Sequence, residues 1–112
     1  MLLLEHAVDL GSFSQGEEDR IQKLAERIAS EKPAVVSISG ENGGYKVRAS
    51  EEVLAIDDRF RVPTKASNQE KPDYLTEILA VSALMIKGAD VEEVILKKSQ
   101  EPPIYEVYLL RK

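Results

Sequence analysis

Between Tyr74 and Ile86, ten of thirteen residues are Tyr, Leu, Ile, Ala, Val or Met, broken only by Thr76, Glu77 and Ser82. A helix apolar around most of its circumference must be covered on more than one side. Pro72 and Asp73 suit the start of such a helix, and Lys87 followed by Gly88 suits its end. Two apolar, β-prone segments follow, Glu92 to Lys98 and Ile104 to Leu110, separated by Gln100-Glu101-Pro102-Pro103. At helical spacing, Leu75, Ile78, Leu79, Ser82, Met85 and Ile86 form one stripe, and Tyr74, Val81 and Leu84 form a second. One stripe is expected to cover a sheet. For the other, two readings stay open: contact with Ile21, Leu24 and Ile28 of an earlier helix, or contact with a second copy of the chain.

The earlier helix is signalled by Ile21, Leu24, Ala25, Ile28 and Ala29 on one face, with Arg20, Lys23, Glu26, Arg27 and Glu31 on the wet face. Ser14 and Glu17 have capping-box spacing before it, and Pro33 stops it. Leu2 to Asp9 reads as a strand that puts His6 beside Leu4 and Val8, with a break at Gly11-Ser12-Phe13. Ala34 to Gly40 and Tyr45 to Ala49 read as two strands of a hairpin around Glu41-Asn42-Gly43-Gly44. Residues 51–62 read as extended structure turning at Asp57-Asp58, with a short helical turn from Ser50 as the alternative. Residues 63–72 read as a polar loop.

These elements predict one α+β domain over residues 1–112, a two-layer sandwich whose mostly antiparallel sheet carries two helices on one face. The strand and helix order suggests a ferredoxin-like βαββαβ unit plus a C-terminal strand. The alternative is βαβαββ with Tyr45 to Val62 inserted. A chain of 112 residues can bury roughly 60% or more of its unfolded surface without a metal or disulfide.

Several chemistries fall away at once. There is no cysteine, which removes disulfides, thiolate metal sites and thiol catalysis, and suits a reducing, cytoplasmic setting. His6 is the single histidine, so neither a two-histidine metal site nor a histidine relay is available within one chain. It is expected to be structural. Asp57-Asp58 reads as a turn and not a cation site, and Glu51-Glu52 and Glu92-Glu93 read as solvated charge. The segment Ser39 to Gly44 lacks Gly-Lys-Ser/Thr and leads into a strand, so it is a turn, not a phosphate loop. Ser12, Ser37 and Ser39 lack a nucleophile-elbow context. No cofactor, metal or catalytic residue is assigned, and no apolar run reaches the length of about 20 residues that spans a membrane.

Charge is uneven. The formal net charge is −5, yet Met1 to Asp58 holds six basic and twelve acidic residues while Arg59 to Lys112 holds nine and eight. Arg59, Phe60, Arg61, Lys65 and Lys71 form a basic segment with an aromatic, the combination that can follow a phosphate backbone. Overall acidity, with a pI near 4.9, weighs against nucleic acid. The expected function is therefore that of a non-enzymatic binding or regulatory module that forms a homo-oligomer, most simply a dimer, or meets another protein. Its surface would come from Tyr74, Val81 and Leu84 of the second helix and from Tyr105, Val107 and Leu109 of the closing strand, whose apolar edge is blunted only at Pro102, Pro103 and Glu106. A nucleic-acid-binding domain is the alternative.

Overall fold

A computed structural model describes residues 3–55, 72–88, 91–98 and 105–111. In chain order the elements are β1 (Leu3–Glu5), β2 (Val8–Phe13), α1 (Glu18–Glu31), β3 (Val35–Glu41), β4 (Gly44–Ser50), β5 (Glu52–Ala55), α2 (Pro72–Lys87), β6 (Val91–Lys98) and β7 (Tyr105–Arg111). Five strands form an antiparallel sheet in the order β2-β4-β3-β6-β7, and β1 and β5 form a separate antiparallel pair. The class is α+β, as expected. Asp57, Asp58 and the stretch 56–71 lie outside the described residues, whereas 52–55 is strand.

The opening segment departs from the expectation of one strand ending at Gly11. His6, at φ 52°, turns the chain between β1 and β2, and its side chain is exposed on that turn and not shared with a strand face. Gly11 does not end β2. At φ 132° it carries a register shift opposite β4, the place where a residue without Cβ lets a strand bulge and continue. The Asp9 carboxylate accepts the Gly11 N–H at 2.8 Å and so holds the bulge. Beyond it, Phe13 is 1% exposed and its ring lies 5.3 Å from that of Tyr45. Burying that ring outweighs the strand-breaking tendency of the glycine.

Helix α1 buries Ile21, Leu24, Ala25 and Ile28 as its spacing predicts. Only half of its capping box forms: the Glu17 carboxylate accepts the Ser14 N–H at 2.7 Å, while no side chain caps the helix from the other direction. Lys32, left-handed at φ 49°, closes the helix before Pro33. The β3–β4 hairpin turns at Asn42 and Gly43, both at positive φ, as two-residue hairpin turns require.

α1 and α2 pack on each other, α1 against β2 and α2 against β3 and β6. Leu75, Leu79 and Ala83 of α2 enter one apolar cluster with α1 and with alternate sheet residues such as Val36, Ile38, Val47, Val94 and Leu96. The inserted-hairpin alternative does not hold, because β4 lies between β2 and β3 inside the sheet. The ferredoxin-like label is not established either. Such a sheet would place β6 beside β2, and here β6 pairs with β3.

The opposite face of the sheet is also withdrawn from solvent at its centre. Val35, Ser37, Ile95 and Leu110 point away from the helix-side cluster, and each is buried.

Candidate functional site

The second stripe of α2 is divided by the fold. Val81 is 44% exposed and Leu84 55%, so about half of each side chain faces solvent. Thr76 and Ala80 line a crevice with Glu18, Ile21 and Gln22 of α1. Small residues there let the two helices approach, and the helical screw then turns Val81 and Leu84 outward. The Tyr74 side chain lies outside what the structure describes. Ile78 and Met85, between the buried stripe and the exposed pair, are half-buried against the core. Ser82 is buried within the helix, and its hydroxyl donates to the Ile78 carbonyl at 2.7 Å, which satisfies a polar group on the inward stripe.

β7 ends the sheet. It runs rung by rung against β6 from Lys98/Tyr105 to Glu93/Leu110, with a register shift only beyond that point. Tyr105, expected at a surface, is fully buried and its hydroxyl donates to the Pro33 carbonyl at 2.8 Å. Val107 and Leu109 are half-buried on the helix side of the strand. α2 lies over β3 and β6, so these two side chains and the Ile78–Met85 flank of α2 occupy the same side of the molecule.

β2, the other edge, is built differently. Arg27 of α1 donates to the Leu10 carbonyl at 3.2 Å while bonding Glu31 at 2.6 Å, and Arg20 reaches the Ser12 carbonyl at 3.4 Å. The two guanidinium groups occupy backbone acceptors that an incoming strand would need.

The far face carries a polar group that sequence reading missed. Residues on neighbouring strands fall into a row by register: Asp9, Arg48, Ser37, Ile95 and Tyr108. The next row holds Ser12, Lys46, Ser39, Glu93 and Leu110. Ser37 is fully buried and its hydroxyl bonds the Glu93 carboxylate. Burial pushes the Glu93 carboxyl above the ordinary glutamate range, and the Ser37 bond and the Arg48 charge oppose that shift. The Arg48 Nε is buried with no hydrogen-bond acceptor. Lys46 and Asp9 form a 2.8 Å ion pair, which holds the exposed Asp9 below its usual value. The two-residue turn at Asn42-Gly43 sets Ser37 opposite Arg48, so that half of the group was readable from sequence. The approach of Glu93 depends on which strand β6 joins.

A shallow cleft of about 230 Å³ lies where β2 meets the β3–β4 hairpin, lined among others by Glu17, Arg20, Glu41 and Lys46. Within it Arg20 and Glu17 form an exposed 3.7 Å ion pair. Among the described residues no group of three or more His, Asp or Glu side chains is placed to hold a metal. No described helix is long and apolar enough to cross a membrane. Arg59, Phe60, Arg61, Lys65 and Lys71 lie outside the described residues. No protein-family model matches the chain, and neither a curated protein nor a solved structure does.

Proposed function

We propose that this protein is a non-enzymatic binding module that works as a homodimer, its two copies joined along β7 and the outer flank of α2. The observation that carries this reading is the exposure of Val81 and Leu84 on a helix whose Leu75 and Leu79 are fully buried. Two identical edge strands related by a two-fold axis perpendicular to the sheet pair antiparallel. Such an axis keeps the helices of both copies on one side of a joined ten-stranded sheet. It therefore brings α2 toward α2 of the partner and covers Val81, Leu84, Val107 and Leu109 in one self-complementary surface. Apolar residues at the centre with charge outside is the usual anatomy of such contacts.

β2 suits this role less well, because its bulge and the arginines on its carbonyls obstruct strand addition. An absence of cysteine suits a reducing cytoplasm. The net charge of −5 favours a protein partner over nucleic acid.

The test is the mass of the wild-type protein and of Leu84→Glu in sedimentation equilibrium at micromolar concentration, with urea unfolding of both. The reading expects a wild-type dimer, and a monomeric variant that keeps its circular dichroism. A wild-type monomer throughout, or a variant that stays dimeric, overturns it.

A further inference from the structure

We propose that Tyr108 lies on the two-fold axis of the dimer, so that on the far face it meets the partner's Tyr108 while on the helix side Val107 meets the partner's Leu109. The proposal rests on the homodimer reading and names the residues through which the two copies recognise each other. One edge of β7 is occupied by β6 from Lys98/Tyr105 to Glu93/Leu110, and no described strand lies along the other. That outer edge offers alternate backbone N–H and C=O groups over the seven residues Tyr105–Arg111.

Symmetry restricts how two such edges can meet. A two-fold axis perpendicular to the sheet leaves each face on its own side, so a residue pairs only with one of the same pleat, and the axis must pass beside a residue and not between two. Tyr108 is the midpoint of β7. An axis there gives all seven residues a rung, whereas an axis at Val107 or Leu109 leaves two residues at one end without a partner.

Side chains select the same axis. Val107 and Leu109 are half-buried on the helix side, and the Tyr108 axis sets each opposite the other in the second copy, which closes two apolar pairs. Tyr108 is itself half-buried on the far face, beside Ile95 of β6, which is 1% exposed. With the axis at Leu109, Val107 would instead face the charged partner's Arg111. With the axis at Val107, Leu109 would face the partner's Tyr105, a residue whose buried ring is turned inward with its hydroxyl on the Pro33 carbonyl. Under the Tyr108 axis the row Asp9, Arg48, Ser37, Ile95 and Tyr108 runs on through the second copy in reverse order, with tyrosines at its centre and charge at its ends.

The chain has no cysteine, so single cysteines placed in the full-length protein report the axis directly. A residue on the axis stands about 4.5–5.5 Å from its own copy by Cα, within disulfide reach, and a residue one place off the axis about 8 Å, beyond it. With oxidised glutathione as oxidant, Tyr108→Cys should run as a covalent dimer on a non-reducing gel. Val107→Cys and Leu109→Cys should each stay uncoupled alone, and the two should couple when refolded together from urea. If Tyr108→Cys fails to fold, the mixed sample decides by itself. Coupling of Val107→Cys alone or of Leu109→Cys alone moves the axis and overturns the proposal while the homodimer reading stands. A wild-type dimer in sedimentation equilibrium with no coupling in any sample also overturns it, and a wild-type monomer overturns both.

Discussion

The two edges of the five-stranded sheet solve the same problem in opposite ways. β2 is short, bulged at Gly11, stapled by Asp9 and covered by Arg20 and Arg27 at two of its carbonyls. β7 keeps an unbroken register over six rungs beside β6, a strand that α2 packs against. Edge strands offer backbone groups that pair readily with another chain, so a protein that guards one edge this closely makes the choice of edge specific. Helix α1 explains the difference. Its wet face carries arginines at i and i+7, two turns apart, which reach two carbonyls of β2, whereas α2 packs on β3 and β6, next to β7.

Three substitutions sharpen or break that contrast. Phe13→Ala should have the largest effect, about 3–5 kcal/mol of unfolding free energy, because a fully buried ring beside Tyr45 anchors the guarded edge. A loss below about 1 kcal/mol in urea titration would show that β2 is held by something other than this ring. Tyr105→Phe removes the bond to the Pro33 carbonyl while keeping the ring, and should cost about 1 kcal/mol. If its dimer dissociates while its unfolding curve is unchanged, Tyr105 belongs to the interface and the placement of β7's inner side chains is wrong. Arg27→Ala should change stability least, by under about 1 kcal/mol, since its ion pair with Glu31 is half-exposed. Its readout is association: uncapping the Leu10 carbonyl should add species larger than the dimer in sedimentation velocity, and an unaltered profile would remove the guarding role.

Local chemistry explains which parts of this fold could be read in advance. The α1 stripe, the α2 boundaries between Pro72 and Gly88, the hairpin at Asn42-Gly43 and the strands β6 and β7 each depend on neighbours in sequence, and each stands within two residues of its expected place. Gly11 was misread because glycine both ends strands and permits bulges, and only the burial of Phe13 decides between them. Val81 and Leu84 were legible as a separate stripe, yet whether α1 or solvent would meet them depended on the side of α2 that packs closest to α1. Glu93 looked like half of a solvated pair, and it is the member that β6 turns onto the buried face.

By itself, then, the amino-acid order determined the periodicities: two helices, a hairpin with its register, and two closing strands, all set by turn chemistry and by the spacing of apolar residues. It also determined that thiol chemistry is absent and that His6 is the single imidazole. Tertiary structure alone decided that β6 joins β3, that Ser37 and Glu93 meet across 56 residues of chain, and that one edge is reached by helix arginines while the other pairs with a strand lying against α2. Those are choices among strand orders that satisfy the same local pattern, and long-range burial selects between them.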